Sequence, residues 1–174
     1  MKKIFLLVLL FQIVTGTVYP ASAYAQPTDN SRFVFTELTA RDTVSGLVWT
    51  IDANPAGKGL SWADVSFFLR TFNTTKYAQC DHWRAPELEE LRTLVKFGKQ
   101  MGITKGFDAF LIKAGFKNVK GQNYWTSTVT WIGKEDEPGR KVLNLYSAGE
   151  NEDTQVATMR SYDNYLWPVC SEQK

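Results

Sequence analysis

The spacing of apolar residues predicts two main helices near the middle of the chain. The first is predicted over Trp62–Phe72, where apolar side chains recur at helical intervals: Trp62, Val65, Phe68, Leu69 and Phe72. Ser61 is placed to cap it, with Asp64 completing an aspartate version of the capping box. The second is predicted over Pro86–Phe97, with the proline at its first position and Gly98 ending it; its apolar stripe is Leu88, Leu91, Leu94 and Val95.

Short strands are predicted on both sides of these helices. Phe33–Phe35 and Leu47–Trp49 are expected to form an N-terminal hairpin around a turn at Asp42–Gly46. After a third, shorter helix over Phe107–Ala114, closed by Gly115, four further strands are predicted: Asn123–Thr130, Val142–Tyr146, Ala157–Met159 and Tyr165–Val169. A proline inside the last of them favours a sheet edge or a bulge. This order predicts an α+β domain with short antiparallel strands and long loops.

The N-terminus has the pattern of a cleaved secretory signal. Two lysines precede an apolar run over Ile4–Val14, and small residues allow cleavage after Ala23 or Ala25. An uncleaved anchor helix is disfavoured because a glycine and a proline interrupt any longer span. The predicted organisation is therefore a signal over residues 1–25, a polar tether over 26–31 and one domain over 32–174. The expected location is the periplasm, the cell surface or the medium, with no stable membrane span after cleavage.

Net charge gives no reason to expect a nucleic-acid partner. The chain has 20 Lys and Arg against 18 Asp and Glu. The predicted signal carries two lysines and no acid, so the remaining 18 basic residues equal the 18 acidic ones. A neutral domain lacks the basic excess that is typical of nucleic-acid-binding domains.

One segment is nevertheless locally basic. Six lysines lie between residues 96 and 120 against one acid, Asp108: Lys96, Lys99, Lys105, Lys113, Lys117 and Lys120. Such an excess can bind sulfated or acidic glycans, because lysine attracts anionic groups as a point charge without demanding one geometry. The alternative is an ordinary solvated face around a looped region.

The two cysteines, Cys80 and Cys170, favour one disulfide, since an exported chain meets an oxidising compartment. Closing a loop of that length stabilises by about 4 to 5 kcal/mol on the chain-entropy model. Free or catalytic thiols are the alternative, because the single histidine, His82, lies two residues from Cys80. Residues this close in sequence rarely face each other as a nucleophile and its base do.

Other candidate chemistry is weak. The acidic stretches 135–137 and 150–153 offer oxygen ligands for calcium, but Glu137-Pro138-Gly139 lacks the asparagine that sugar-binding calcium loops carry after the proline. No cofactor is therefore predicted, and calcium is kept as the alternative. Aromatic residues of the C-terminal half could stack on sugar rings: Trp131, Tyr146, Tyr162, Tyr165 and Trp167. With one histidine and no metal-ligand cluster or phosphate loop, the sequence predicts no enzyme.

Several short motifs occur in a fixed order along the chain. They are Asp42-x-x-Ser45-Gly46-Leu47-x-Trp49, Ser61-Trp62-Ala63, Asp81-x-Trp83-Arg84-x-Pro86-x-x-x-Glu90-Leu91, Tyr124-Trp125-Thr126-Ser127-Thr128 and a terminal strand ending at Cys170. Together, over roughly residues 32 to 170, they resemble the Lcl C-terminal domain family, named for a bacterial collagen-like adhesin. The resemblance implies a C-type-lectin-like fold, related to that of formylglycine-generating enzymes, in an exported bacterial protein. The adhesin of that family binds sulfated glycosaminoglycans.

The motif residues are expected to serve the scaffold: Trp49, Trp62, Trp83, Arg84, Pro86 and Trp125. The tryptophans are large enough to fill a core, and a carboxylate or carbonyls should hold the arginine. Two departures from the family pattern stand out. The first cysteine of the family usually lies at about the position of Leu69, and an arginine commonly stands where this chain has Val169.

These observations predict an exported, non-catalytic binding module for anionic glycans. The alternative is a protein-interaction or structural subunit of a periplasmic or surface assembly. Salt separates the two, because electrostatic binding weakens as ionic strength rises and a packed apolar interface does not.

Overall fold

The computed structural model describes residues 32–132, 137–148, 155–158 and 164–171. In these ranges the helices are α1 (Trp62–Thr74), α2 (Leu88–Gln100) and α3 (Phe107–Ala114), with a 3-10 helix over Tyr77–Gln79. The strands are β1 (Phe33–Phe35), β2 (Thr39–Asp42), β3 (Leu47–Thr50), β4 (Asn123–Ile132), β5 (Glu137–Asn144), β6 (Gln155–Thr158) and β7 (Val169–Ser171). This content confirms the α+β class. The predicted signal and tether lie outside the described residues.

Two antiparallel sheets organise these elements, one in the order β1-β2-β3-β7 and one in the order β4-β5-β6. The C-terminal strand pairs with β3, where Cys170 lies opposite Val48. Pro168 precedes it, and β7 ends the order of the first sheet, as the proline predicted. Just before it, Tyr165 accepts a hydrogen bond from Trp125 N at 2.8 Å and donates one to Asn123 O at 2.8 Å, which connects the same segment to β4.

The N-terminal hairpin has one strand more than the pattern predicts. The partner of β3 is β2, and Phe33–Phe35 pairs on the far side of β2. The pattern does not predict β2 because the buried residues of this strand are Ala40 and Asp42, a small residue and an acid. No run of large apolar side chains marks it.

A buried carboxylate holds the turn that follows β2. Asp42 accepts hydrogen bonds from the backbone of Val44 at 2.9 Å and from Arg32 Nε at 2.9 Å, with a second bond from Arg32 Nη2. Gly46 closes the turn at a φ of +73°, which only glycine adopts without strain. Burial raises the pKa of the Asp42 carboxyl, but the hydrogen bonds of Arg32 and Val44 outweigh it and leave that pKa below its usual value.

The first helix confirms its predicted cap. Ser61 Oγ accepts from Asp64 N at 3.2 Å, and the Asp64 carboxylate approaches Ser61 N at 3.4 Å. The helix then runs two residues beyond Phe72, and Val65 is its fully buried residue. One face packs inward as expected, while Phe67 lies exposed on the other.

The second helix begins later than predicted, so Pro86 is not its first residue. Glu87 is the N-cap, with extended backbone, and its N–H donates to Glu90 Oε2 at 2.7 Å. The proline itself is held outside the helix because its carbonyl accepts from Ser127 N of β4 at 2.7 Å. Pairing with a neighbouring strand, which the local pattern does not show, therefore decides where the helix begins.

The same helix also ends later than predicted, because Gly98 lies inside it. A Cβ at Gly98 would lie 2.6 Å from Cδ1 of Phe107, the buried first residue of α3. This glycine therefore marks a close approach of two helices and not a helix end. The third helix has the predicted bounds, with Gly115 following it at a φ of +120°.

The later strands differ from prediction at their ends. The strand predicted over Val142–Tyr146 begins earlier, at Glu137, and the pairing of β4 with β5 shifts between Trp125 and Val129. The predicted strand Tyr165–Val169 is wrong over most of its length, since β7 begins only at Val169. The chain before it satisfies its backbone through bridges to separate partners, as Tyr165 does with Tyr124.

Aromatic side chains fill the core between the first sheet and the helices α2 and α3. Trp167 contacts Trp49, Phe116 and Tyr124 with ring centroids 4.9 to 5.9 Å apart. A second cluster surrounds Trp125 beneath α1, and a third joins the cysteines to Trp83. Among the described residues no helix has both the length and the apolar composition needed to cross a bilayer.

Candidate functional site

A shallow groove of about 180 Å³ runs along the exposed face of α2. Its lining residues come from α2, from β5 and from the turn that follows it: Glu89, Arg92, Val95, Lys96, Lys99, Leu143 and Ala148. The three apolar ones are buried, and the four charged ones are exposed or half-buried. The groove thus joins an apolar base to charged walls.

The walls carry three cations and one acid. Arg92, Lys96 and Lys99 follow one another at helical spacing, so they share one face of α2. Glu89 accepts hydrogen bonds from Arg92 and, at 3.4 Å, from Lys96 Nζ. The bond from Arg92 lowers the pKa of the Glu89 carboxyl, which keeps this acid ionised. Among the described residues that line the groove, cations therefore outnumber acids by three to one.

A further cation and an exposed aromatic ring lie beside the groove. Tyr146 lies two residues before Ala148 in the same turn, and 49% of it is exposed. Lys105 Nζ lies 5.1 Å from the centroid of its ring, within the range of a cation–π contact. Gly106 N donates to Tyr146 O at 3.0 Å, which fixes the loop after α2 against the turn. We call the groove together with Lys105 and Tyr146 the basic face.

The remaining predicted lysines take other positions. Lys113 is exposed on α3. Lys117 is exposed too, and its backbone pairs with Ile51 and Ala53 of the segment after β3. Lys120 is half-buried, and its N–H donates to the hydroxyl of Tyr124 at 2.7 Å. Arg92 precedes the predicted basic segment of residues 96 to 120, which was defined by its lysines. Its helical spacing to Lys96 and Lys99 is a signal in the sequence that could have added it to the site.

Three of the four motif tryptophans lie in the core, and the fourth packs at its edge. Trp49, Trp83 and Trp125 are buried, and Trp125 donates from Nε1 to Leu60 O at 2.8 Å. Trp62 is half-buried, packs edge-on against Trp125 and lies under the guanidinium of Arg140, 4.4 Å from its centroid.

The motif arginine is held as expected. Arg84 donates from Nη1 and Nη2 to the two carboxylate oxygens of Glu90, each at 2.7 Å. Burial raises the pKa of the Glu90 carboxyl, but the hydrogen bonds from Arg84 and Glu87 N lower it by more. The pKa of Glu90 therefore lies below its usual value. The ion pair joins the chain before α2 to the first turn of that helix.

The predicted disulfide Cys80–Cys170 is present, with an S–S distance of 2.07 Å. Leu69, at the usual family position of the first cysteine, packs against this bridge and Trp83. Val169, where the family commonly has arginine, is buried in β7. The bridge therefore lies beside the position that the family pattern gives to its first cysteine.

His82 contacts the second cysteine of the disulfide. Its Nε2 lies 3.4 Å from Cys170 Sγ and donates to Ser171 O at 2.9 Å, while Nδ1 donates to Asp81 Oδ1 at 3.0 Å. The bond to Asp81, followed by that to Ser171, raises the pKa of the imidazole. Since Cys80 is disulfide-bonded, the alternative of a Cys80–His82 nucleophile pair is wrong for this state.

The candidate aromatics divide by exposure. Trp167 is buried and Tyr165 half-buried, whereas Trp131 is 65% exposed and Tyr146 belongs to the basic face. Tyr162 lies outside the described residues, and so do both candidate calcium stretches except for Glu137 at the start of β5.

Comparison with curated proteins and with solved structures finds no significant match to either. The C-type-lectin-like fold therefore stays a prediction from the motifs. A family model does match: that of the Lcl C-terminal domain, over residues 38–170. The match begins just before β2 and ends at Cys170, the second cysteine of the disulfide, so it includes every described helix and both sheets apart from β1 and the last residue of β7. The chain belongs to the Lcl C-terminal domain family.

Proposed function

We propose that this chain is an exported, non-catalytic binding module whose basic face binds sulfated or otherwise anionic glycans. The observation that carries the proposal is the alignment of Arg92, Lys96 and Lys99 along one groove, with Lys105 and Tyr146 beside it. Export follows from the predicted signal.

The chemistry of this face suits a charged sugar polymer. Its cations attract sulfate or carboxylate groups spaced along a chain, and the exposed Tyr146 ring offers a flat apolar surface for a sugar face. A groove of about 180 Å³ is smaller than typical pockets for enclosed ligands, which range over about 300–1,000 Å³. An open basic groove therefore favours an extended ligand lying across it.

The surroundings of the acids with lowered pKa values support a non-catalytic role. The one that lines the groove, Glu89, is exposed and bound by Arg92. Asp42 and Glu90 have lowered pKa values, and each is bound by an arginine that joins two parts of the scaffold. Catalytic carboxyls are tuned by burial and neighbours for proton transfer in a cleft. Neither Asp42 nor Glu90 lines the groove.

A second candidate function is protein binding through the exposed side of β4. Val129 and Trp131 are two residues apart on that strand, so their side chains share a face. Val129 is 50% exposed and Trp131 is 65% exposed. Exposed tryptophan is enriched in protein interfaces. This candidate predicts a partner that binds independently of salt.

Binding to immobilised heparin, to a non-sulfated acidic polysaccharide and to a neutral one tests the first proposal. Two variants with the same change of net charge are compared: Lys96→Glu/Lys99→Glu/Lys105→Glu on the basic face, and Lys58→Glu/Lys113→Glu/Lys117→Glu elsewhere. We expect salt-sensitive heparin binding by the parent chain, a loss of at least about tenfold for the first variant and a smaller loss for the second.

Equal loss in the two variants would mean that net charge and not the groove governs binding, and would contradict the assignment of the site. Absence of binding to every polysaccharide by a folded chain would contradict the glycan proposal altogether. A Trp131→Ala variant that loses a protein partner while the charge variants keep it would favour the second candidate.

A further inference from the structure

Three side chains with metal-binding atoms converge where the chain before α2 meets β7. Cys80 Sγ, Cys170 Sγ and a ring nitrogen of His82 all lie within 4.8 Å of one another. Nothing in the proposed glycan site uses them. In the oxidised chain the two sulfurs are bonded to each other and cannot act as thiolate ligands.

One spacing among the three ligand atoms already matches a tetrahedral zinc site, that between Cys170 and His82. Zn–S bonds of about 2.3 Å and Zn–N bonds of about 2.0–2.1 Å at tetrahedral angles place S and N about 3.5 Å apart and two sulfurs about 3.8 Å apart. His82 Nε2 is already 3.4 Å from Cys170 Sγ. Cys80 Sγ lies within 4.8 Å of the other two ligand atoms, so after reduction of the bond, side-chain rotations that part the two sulfurs and bring Cys80 Sγ toward the imidazole complete the spacing.

The backbone holds the ligands together independently of the disulfide. Arg84 and Val169 exchange two hydrogen bonds, each 2.9 Å long, so the chain after His82 is paired with the residue before Cys170. The buried Trp83 packs against both cysteines in one cluster. Breaking the S–S bond therefore leaves the three residues adjacent.

A contact with a carboxylate orients the imidazole for ligation. Nδ1 of His82 donates to Asp81, an arrangement that fixes the ring and leaves Nε2 to face a metal. To bind, Nε2 gives up its proton and its bond to Ser171 O. The His82 side chain is 40% exposed, so solvent reaches one side of the cluster and can supply the fourth ligand.

We propose that Cys80, Cys170 and His82 form a zinc site once the disulfide is reduced, and that the metal then replaces the disulfide as the crosslink to β7. A dithiol supplies the two electrons and two protons that convert the S–S bond to two thiols, and is itself oxidised to a disulfide. Zinc binding then releases one proton from each thiol. The chain thus has two mutually exclusive crosslinks at one place.

Cobalt replaces zinc as a visible probe in the test. The full chain is reduced with a phosphine and titrated with Co²⁺ without oxygen, beside the oxidised chain. We expect one Co²⁺ per reduced chain, with the charge-transfer and d–d bands of a tetrahedral thiolate site that Zn²⁺ removes. The oxidised chain should show neither band.

Two variants separate this site from two adventitious thiols. His82→Gln removes a ligand and should weaken Co²⁺ binding by more than tenfold with altered d–d bands, while Asp81→Asn, which keeps all three ligands, should weaken it about tenfold. Tetrahedral bands of unchanged affinity in His82→Gln, binding by the oxidised chain, or no bands at all would each overturn the proposal.

Loss of structure on reduction is followed by near-ultraviolet circular dichroism, which reports the packing of Trp83. If the reduced chain unfolds, Zn²⁺ is expected to restore the signal of the oxidised chain, and failure to do so counts against the proposal. The polysaccharide assay is performed only on oxidised chain, so failure of one proposal leaves the other intact.

Discussion

The two faces of α2 have different roles: the inward face holds the helix in the fold, and the outward face is open to a ligand. Its inward side is fixed at the first turn by the Arg84–Glu90 pair and packs Leu88, Leu91, Leu94 and Val95 into the core. Its outward side carries Arg92, Lys96 and Lys99 of the basic face, which line the groove with Glu89. The motif residues thus determine where the helix lies, and the outward residues decide what the helix presents. Family membership therefore reports on the inward side, and function has to be tested on the outward one.

The largest effect is expected from a motif tryptophan. Trp125→Ala should lower the free energy of unfolding by about 3 to 5 kcal/mol, because it leaves a cavity under α1 and removes the hydrogen bond to the Leu60 carbonyl. Denaturant unfolding measures it, with Trp131→Ala on the exposed side of β4 as the control. A loss for Trp125→Ala no larger than that of the control would mean that the motif does not define the core.

The buried pair of Arg32 and Asp42 should give a smaller, pH-dependent effect. Asp42→Asn is expected to cost about 2 to 3 kcal/mol at neutral pH, since it weakens charged hydrogen bonds. The folded pKa of Asp42 is lowered, so its contribution is present above the unfolded pKa of about 3.9 and is lost as pH falls through the folded value. Unfolding at pH 7 and at pH 3 checks this, and the difference between parent and variant should shrink at the lower pH.

The close approach of α2 and α3 gives a third test. Gly98→Ala should destabilise by about 1 to 2 kcal/mol, because the new Cβ meets the Phe107 ring, although alanine normally favours a helix over glycine by about 1 kcal/mol. Thermal unfolding measures the change. Gln100→Ala, on the exposed last turn of the same helix, is the matched control and should lie within about 0.5 kcal/mol of the parent.

The smallest effect on stability, and the largest on binding, is expected from the outward side of α2. Lys99→Glu should change the free energy of unfolding by less than about 0.5 kcal/mol, as is usual for exposed residues. It should also shift elution from heparin to lower salt, because it places a negative charge in the groove. A variant that unfolds more readily but elutes unchanged would reverse the comparison of the two faces.

Much of this protein was determined by the sequence itself. The helical spacing of apolar residues and the residues at helix ends predicted α1 and α3. The two cysteines predicted the disulfide, and the large aromatic residues of the motifs predicted much of the core. These signals are local, since helical spacing, a capping serine or a bulky apolar residue acts within a few residues of its own position.

The tertiary structure decided what depends on distant partners. β4 holds Pro86 outside α2, the Phe107 ring explains Gly98, and buried Asp42 completes a strand that the apolar pattern does not show. Likewise, only folding brings Tyr146 to Lys105 and places Cys170 beside His82. The physical reason is that a side chain's partner, and with it the energy of a buried charge, a missing Cβ or a shared site, is set by contacts across the fold, which residue spacing along the chain does not encode.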